Sequence, residues 1–408
     1  MVQFRTHALM AGLALGLTAS ACGPIKAPDN IPPVASGRAY QAQYRDPPPR
    51  STDRMHLVSA RMNAERCKPY LGAHGNGTAK GSGLVEVVLR GERLSRNDLL
   101  DIRVVDDETF TGDYVISRDG LIKLPYLDPI QAEGRSTADI ERDLTRALLS
   151  DGFYDSAPRL SVRVKDFSGI SVAVSGAVFE PHASEIGGAG DRIDTVRQAA
   201  LGASTDARNM SDALRSVGGV RPDADLSAVR LIRGGRSYTL DMRGVFEGRH
   251  AVDVMLITGD EIVVPSRMCF QDHLMRPSPV SPPGISLFLS NLTVPATGNA
   301  PSAIGREVRE VPYGTRFMQA VVDTNCVGGA RASSAHRSAL LLTRDPMTGV
   351  SIVIERRIED MLRRGDRDDY DPYLLPGDAI ACYDSSVTNV TEVARVLGAV
   401  GAVAVLAR

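Results

Sequence analysis

The chain contains an internal duplication, and this feature limits its fold more than any other. The segment Gly169–Ser175 returns in similar form as Gly284–Ser290, and Leu256–Ile262 returns as Leu374–Ile380. Between these segments, a helix that ends at a Gly-Gly pair and a hydrophobic strand recur in the same order, at offsets of between 110 and 118 residues. A shared order at a nearly constant offset indicates two copies of one small domain.

Each copy combines strands with helices. The strand Val229–Arg233 aligns with Leu340–Arg344, and each copy runs strand, helix, strand, short helix, Gly-Asp turn, strand. A Gly-Gly pair suits a helix C-terminus because Gly adopts the left-handed conformation without a Cβ clash, and Asp favours a tight turn. The pattern predicts a small sheet crossed by a helix. We expect a first repeat at 169–268, a proline-rich linker at 269–284 and a second repeat at 285–386.

The segment before the repeats, residues 84–168, predicts a further domain of the same α+β class. Ser136 or Thr137 caps a helix with one apolar stripe, formed by Ile140, Leu144, Ala147 and Leu148. Alternating apolar residues predict strands at 84–89, 101–105, 113–116, 121–124 and 160–165.

Composition and motif spacing exclude several classes of function. Lys and Arg (47) nearly balance Asp and Glu (49) and form no block of one sign, so a nucleic-acid partner is not expected. Tryptophan is absent, which argues against a cleft that grips sugar rings by stacking. The seven histidines are scattered, and neither a zinc motif nor a Gly-x-Ser-x-Gly elbow occurs. The sequence therefore predicts no enzyme, no cofactor and no metal site.

The N-terminus has the pattern of a secretory signal. Arg5 and His7 precede an apolar run from Ala8 to Ala21, which is too short to span a bilayer. Its end, Ala-Ser-Ala before Cys22, resembles the lipobox of bacterial lipoproteins. We expect a signal peptide at 1–21, lipidation of Cys22 and a Pro- and Gly-rich tether at 22–83. An ordinary signal peptide followed by a coincidental Cys is the alternative.

Four further cysteines lie in the exported part of the chain: Cys67, Cys269, Cys326 and Cys382. An even number fits disulfide bonds in an oxidising compartment, and three connectivities are open. Cys326 follows the helix of the second repeat and Cys382 lies on its last strand. One small domain could bring these two together, so we predict a Cys326–Cys382 disulfide.

The ordered motifs of the chain resemble those of bacterial polysaccharide export proteins. They are Leu94–Val104, Thr111–Pro125, Ser161–Val164 and Val174–Val178, and the repeats look like the soluble-ligand-binding β-grasp domains of this family. Asn97 stands where the family usually has Gly, and Asn too can adopt a positive φ. The resemblance implies an outer-membrane lipoprotein that forms a homo-oligomeric ring and conducts capsular or extracellular polysaccharide out of the periplasm. It also implies an inner-membrane co-polymerase partner, often a tyrosine kinase.

The last 22 residues, 387–408, predict an amphipathic helix of membrane length. At 1.5 Å per residue they reach about 33 Å, against a hydrocarbon thickness of roughly 30 Å. Residues 396–407 carry no charge. We expect the membrane-facing positions to include Val396, Leu397, Val400, Val403 and Val405. One helix encloses nothing, so a pore needs one helix from each of several copies, as the family resemblance implies.

Two other classes of function remain open beside the pore. The C-terminal helix could dock on the last domain or lie in the membrane interface instead of crossing it. The protein would then be a sugar-binding or scaffold lipoprotein without a pore. A periplasmic carbohydrate-active enzyme with paired carboxylates is a third reading, which the missing Trp and the duplicated small domains disfavour.

Overall fold

The computed structural model describes residues 67–72, 89, 91–188, 207–249, 253–291, 309–323, 338–347, 349, 351–363 and 370–383. These residues form two compact units, which divide between Pro283 and Gly284. The first unit contains the export-like domain and the first repeat, and the second unit contains the second repeat.

The export-like domain is built on a three-stranded antiparallel sheet. Its strands lie in the order β2-β1-β5, where β1 is Leu99–Val104, β2 is Asp107–Val115 and β5 is Leu160–Asp166. A short two-stranded ladder joins β3 (Leu121–Ile122) to β4 (Ile130–Gln131). Four of the five expected strands are therefore present, with bounds shifted by a few residues. The fifth, at 84–89, lies outside the described residues except for Leu89.

Helix α1 (Thr137–Ser150) begins where the sequence predicts. Ser136 is its N-cap, and a reciprocal pair of hydrogen bonds joins the Ser136 side chain to the Asp139 amide and the Asp139 carboxylate to the Ser136 amide. Ile140, Leu144 and Leu148 are all fully buried against the sheet side of the domain. The apolar stripe read from the sequence is thus the core-facing side of the helix.

The first repeat is a five-stranded mixed sheet with the strand order β7-β6-β10-β8-β9. Its central pair, β6 and β10, is parallel, and the other neighbours are antiparallel. The elements in chain order are β6 (Gly169–Gly176), β7 (His182–Gly187), α2 (Met210–Ser216), β8 (Val229–Arg233), β9 (Arg236–Leu240), α3 (Gly244–Glu247) and β10 (Glu261–Val264).

The second repeat has the same order, β12-β11-β15-β13-β14, with β11 and β15 as its parallel pair. Its elements are β11 (Ile285–Asn291), β12 (Arg309–Val311), α4 (Phe317–Asp323), β13 (Ser338–Arg344), β14 (Ser351–Arg357), α5 (Ile358–Arg363) and β15 (Ala379–Tyr383). The duplication seen in the sequence is therefore a duplication of a whole fold. Sequence analysis missed the edge strands β7, β9, β12 and β14.

Strand register corrects the alignment of the two repeats by one residue. Ile262 pairs with Leu231 in the first repeat, and Ile380 pairs with Leu341 in the second. Leu231 therefore corresponds to Leu341, and Arg233 corresponds to Thr343. The sequence alignment had placed Arg233 opposite Arg344, the neighbour of Thr343. Without the strand register, an alignment that matches Arg with Arg looks better than one that matches Arg with Thr.

Two segments that were expected to be linkers are packed against the first repeat. Residues 67–72, expected in the tether, are bonded to it, as described below. Within the expected linker at 269–284, the side chains of Phe270, Leu274, Met275 and Val280 are buried. Val220 N–H also donates to Val280 O at 2.9 Å. Apolar residues spaced between the prolines give this segment surface to bury, so it packs on the first repeat before the chain enters the second unit at Gly284.

Other predictions lie outside the described residues. These are the signal peptide at 1–21, Cys22 and the helix at 387–408 with Val396, Leu397, Val400, Val403 and Val405. In the parts of the chain that the structure describes, every helix is too short or too polar to cross a membrane.

Candidate functional site

The same aspartate turn occurs three times, each time at the entrance to a strand. Asp98, Asp260 and Asp378 precede β1, β10 and β15, and each carboxylate accepts a hydrogen bond from the amide three residues before it, at 2.7, 2.9 and 2.9 Å. All three side chains are at most 1% exposed. The residue before each Asp has a positive φ, and it is Asn97 in the first turn and Gly in the other two. The expectation that Asn97 replaces a turn Gly is confirmed.

Asp98 forms an ion pair that joins the export-like domain to the first repeat. Nη1 of Arg208, just before α2, lies 2.8 and 3.1 Å from the two Asp98 carboxylate oxygens, and both side chains are 0% exposed. The Ser168 amide and hydroxyl donate to the same carboxylate at 3.0 and 3.1 Å. The Arg208 guanidinium also lies over the Phe167 ring, 5.1 Å from its centre. A buried pair with this many partners fixes one geometry, because displacing either partner leaves a charge in an apolar core.

Asp260 holds the loop of the first repeat that contacts the export-like domain. Arg233 binds its carboxylate through two nitrogens, at 2.9 and 2.6 Å. The same guanidinium donates to Met255 O at 2.8 Å, and Thr258 N–H donates to Ser95 Oγ at 3.1 Å. Met255 is buried in the core of the export-like domain. The Gly-Asp turn is thus a structural device, as the sequence predicts, and Arg233 adds a buried ion pair to it.

Asp378 keeps the turn in the second repeat but lacks the arginine. Thr343 stands at the position of Arg233. Thr315 stands at that of Arg208, since Leu374 N–H donates to Thr315 O as Leu256 N–H donates to Arg208 O. Burial raises the pKa of Asp378 to about 7, and the Thr343 hydroxyl and the Leu375 amide act in the opposite direction. The second repeat therefore carries a buried carboxyl that is neutral over most of the acid range.

The N-terminal segment 67–72 is locked onto the first repeat by a disulfide. Cys67 bonds to Cys269, with the Cα atoms 5.0 Å apart. Leu71 N–H donates to the buried carboxylate of Asp225 at 2.7 Å, and Gly72 N–H donates to Ser227 Oγ at 3.0 Å. These bonds hold the segment on the domain over several residues rather than at one point.

Tyr70 adds a second kind of contact in this segment. The guanidinium carbon of Arg267 lies 3.7 Å from the centre of the Tyr70 ring, and that of Arg243 lies 5.3 Å away. Arg267 Nε also donates to Lys68 O at 2.9 Å. Cation–π contacts of this kind are worth about 0.5–2 kcal/mol each. Residues 67–72, which were expected in the tether, are therefore held on the first repeat by several independent contacts.

The structure shows one disulfide directly and reduces the number of possible cysteine pairings. Of the three connectivities left open by the sequence, the Cys67–Cys269 bond leaves Cys326 and Cys382 to pair with each other. Cys382 lies on β15, is buried and is disulfide-bonded. Cys326 lies outside the described residues. The Cys326–Cys382 pairing stays a prediction.

Within the described ranges, no three His, Cys, Asp or Glu side chains are grouped so that they could hold a metal ion. Sequence reasoning missed Arg208 and Arg233 entirely. Neither belongs to a recognisable motif, and their partners are 110 and 27 residues away in the chain. One signal was available in the sequence. Each of the three turns places an Asp directly before an apolar strand, and an Asp at such a position is expected to be buried and hydrogen-bonded.

Comparison with known proteins agrees with this architecture. Residues 89–165, which contain the three-stranded sheet and α1 of the export-like domain, match the family described as polysaccharide biosynthesis/export protein. The resemblance drawn from the sequence motifs is thus confirmed for this part of the chain, which contains three of the four motifs. We call residues 84–168 the export domain from here on.

Two curated relatives carry the name EPS I polysaccharide export outer membrane protein EpsA. The one from Ralstonia solanacearum is 28% identical over 194 residues, which are 46% of this chain and 46% of the relative. The one from Ralstonia nicotianae is 26% identical over 222 residues, which are 53% of each chain. The chain thus spans about half the length of the curated relatives it matches. Both relatives are named as export proteins, not as enzymes.

Proposed function

We propose that this protein exports capsular or extracellular polysaccharide across the outer membrane, as a lipid-anchored ring of identical copies. The observation that carries the proposal is the match of residues 89–165 to the export family, together with two relatives named as outer-membrane export proteins. Outer-membrane localisation follows from the same names. Most of the mass lies in the periplasm in this proposal.

The geometry of the first unit supports a role in the wall of a conduit. The export domain and the first repeat are joined by the Asp98–Arg208 pair and by the loop that Asp260 and Arg233 hold. A wall built from such units resists separation of its domains when a polymer passes. The near-neutral charge and the absence of Trp are consistent with weak binding of the polymer along its path.

The proposed ring requires an interface between copies and a membrane segment. A head-to-tail interface either closes into a ring or grows into a filament, so cyclic symmetry is expected. Residues 387–408 supply the membrane segment, one helix from each copy, and Cys22 supplies the lipid anchor. An inner-membrane polysaccharide co-polymerase, of the kind that is often a tyrosine kinase, would deliver the polymer from the periplasmic side.

The test is complementation of a strain that lacks the gene, with surface polysaccharide as the readout. The full chain should restore export. Deletion of residues 387–408 should leave a folded, anchored protein that does not export. Val400→Asp should also impair export, because a charge at mid-membrane costs about 2.5–3.5 kcal/mol on the insertion scale. A matched control is Val105→Asp in the export domain, because Val105 is 55% exposed and a charge there stays in water.

Particle images of detergent-extracted protein test the assembly separately. Class averages should show closed rings. If the truncated protein still supports export, or if the particles are single copies, the pore proposal fails and a scaffold lipoprotein takes its place.

A further inference from the structure

The two repeats differ on one face of their sheets. Strand register defines this outer face, since side chains on a strand alternate between its two sides. In the first repeat the outer face is polar or mixed, and it is formed by Ala173, Ser175, Arg230, Ile232, Ser237, Thr239, Glu261 and Val263. In the second repeat the corresponding described positions are Leu340, Leu342, Val353, Glu355, Ala379 and Ala381.

The charged residues of the first face have apolar counterparts on the second. Arg230 corresponds to Leu340, and Glu261 corresponds to Ala379. The second copy has therefore replaced two charged residues of this face by apolar ones, and Glu355 is the charged residue among its described positions. A sheet face that faces water gains nothing from leucine at such positions, so the difference indicates that the second face is covered in the working protein.

Side chains on the second face are buried at one end of the sheet and exposed at the other. Leu340 and Ala381, which pair with each other, are each 4% exposed, whereas Leu342 is 43% exposed. In the first repeat the counterparts Arg230 and Val263 are exposed and half-buried. The covered end is the end at which β15 finishes at Tyr383. The C-terminal segment leaves the sheet there, next to residues 292–308, which follow β11, and residues 324–337, which precede β13. Of the three, the C-terminal segment has a twelve-residue run of Val, Leu, Ala and Gly alone, at 396–407.

The C-terminal segment has the length and the chemistry to cover this face. Residues 387–408 reach about 33 Å as a helix, and a five-stranded sheet is about 19 Å across at a strand spacing of about 4.8 Å. Residues 396–407 are without charge. An exported chain must carry this apolar run through water before it reaches the outer membrane, and apolar surface in water costs about 25 cal/mol per Å².

We propose that, before membrane insertion, residues 387–408 dock on the outer face of the second repeat, over Leu340, Leu342 and Ala381, and leave it when the ring assembles. The inference rests on the proposed function for its second half, because release matters only if the segment enters a membrane. The N-terminal tether is a poorer occupant, since its sequence is rich in Pro and polar residues and it is fixed at Cys67 to the first repeat. Docking hides the apolar run during transit and keeps the membrane segment from inserting too early.

Site-specific photo-cross-linking tests the docking directly. A photoreactive phenylalanine analogue is placed at Leu342, and in a matched control at Ile232, which is the corresponding position of the first repeat. The protein is the full mature chain with Cys22→Ser, purified from the periplasm without detergent. Mass spectrometry should find the Leu342 probe joined to a peptide from 387–408 of the same molecule, and the Ile232 probe should give no such product.

Other products would overturn the proposal. Mixing isotope-labelled and unlabelled protein identifies a cross-link to a second copy, and peptide mapping identifies a cross-link to residues 23–66. Either result, or no product from the Leu342 probe, rejects docking of the C-terminal segment.

A substitution provides an independent readout. Leu342→Glu should speed tryptic cleavage after Arg395 by about tenfold or more, because a charge on the face removes apolar contact with the docked segment. Ile232→Glu in the first repeat should leave that rate unchanged. An equal rate in both variants contradicts the proposal.

These measurements use no membrane and no polymer, so they are separable from the proposed function. If the Leu342 probe cross-links to residues 387–408 but the particles are single copies and no polymer is exported, docking is supported and the pore proposal is rejected. If rings form and polymer is exported but no cross-link is found, the docking proposal alone is rejected.

Discussion

Asp378 and Asp260 occupy the same position in two copies of one fold, and only the neighbouring residue differs. Arg233 neutralises Asp260, whereas Thr343 leaves Asp378 without a cation among the described residues. A buried carboxyl in an uncharged setting is favoured in its neutral form. The second repeat therefore has, in place of a buried ion pair, a carboxyl group whose pKa is about 7.

We predict that the stability of the second repeat falls as the pH rises. The folded pKa of Asp378, about 7, lies above its ordinary value of 3.8. The stabilising effect is therefore complete below pH 4 and is lost as the pH rises through 7, and the loss is roughly 4 kcal/mol if the whole shift is realised. Asp378→Asn should remove this pH dependence. Hydrogen exchange of β13 and β15, corrected for intrinsic rates between pH 5 and 8, measures it.

The variant Thr343→Arg should give Asp378 the cationic partner that Arg233 gives Asp260. It recreates the Arg233–Asp260 geometry in the second repeat, so exchange protection at pH 8 should rise and its pH dependence should disappear. Asp260→Asn is the reverse control, and it should destabilise the first repeat because it leaves Arg233 buried without its carboxylate. Equal pH profiles for the wild type and Asp378→Asn would contradict the assignment of the titration to this residue.

A second prediction at the residue scale concerns the Asp98–Arg208 pair. Arg208→Met should destabilise the first unit by about 3–5 kcal/mol, because it leaves a buried carboxylate without its cation. The double variant Asp98→Asn with Arg208→Met should recover a large part of this loss, since no buried charge remains. Urea unfolding of the full chain, followed by circular dichroism, gives the free energies. Additive effects of the two changes would show that the residues do not act as a pair.

At the scale of elements, the Cys67–Cys269 disulfide closes a loop that contains the export domain and most of the first repeat. The bond spans 202 residues. In the chain-entropy model, closing a loop of this length stabilises by about 5 kcal/mol, which is an upper value because residual structure in the unfolded chain reduces it. Cys67→Ser with Cys269→Ser should therefore lower the Tm and release residues 67–72 to proteolysis at Lys68. Tyr70→Ala, which keeps the disulfide, is the control and should have a smaller effect on both readouts. Non-reducing peptide mapping of the wild type should also find Cys326 joined to Cys382.

The elements themselves divide into those that local signals predict and those that they do not. The start of helix α1 was predicted to within one residue, because an N-cap side chain and a 3.6-residue apolar stripe are both local signals. The edge strands β7 and β9 were missed, since they are stabilised by pairing with β6 and β8 and have few apolar residues of their own, Tyr238 and Leu240 in β9 and Ile186 in β7. The same holds for the segment 269–283, whose buried side chains find their partners far away in the chain.

The candidate site was harder to predict than the fold. A turn former such as Asp260 can be recognised in the sequence, but its ionic partner depends on strand register. A one-residue error in the alignment of the repeats assigns Arg344 to the position of Arg233, where the second repeat has Thr343. The contrast between Arg233 and Thr343 became visible only when the hydrogen-bonded pairs of both sheets were known. The local sequence therefore predicts which Asp forms a turn, whereas the tertiary structure determines whether that Asp has an ionic partner.

At the scale of the whole molecule, the disulfide fixes residues 67–72 on the first repeat and not on the export domain. In the proposed function, the lipid at Cys22 is joined to this point by the residues between Cys22 and Cys67. A random coil of that length has a root-mean-square length of about 40 Å. The proposed anchor would therefore hold the first repeat within a bounded distance of the membrane.

The last prediction concerns that anchor. Cys22→Ser should give an unacylated precursor or a soluble periplasmic form, because acylation needs the thiol. The mass of the N-terminal peptide and the partition of the protein between soluble and membrane fractions measure the outcome. Cys67→Ser is the control, since it removes a cysteine and a disulfide but leaves the lipobox, and it should stay acylated and in the membrane fraction. Wild-type protein cleaved at another residue and free of an acyl chain would show that the anchor proposal is wrong, and the membrane attachment of the ring would then depend on residues 387–408 alone.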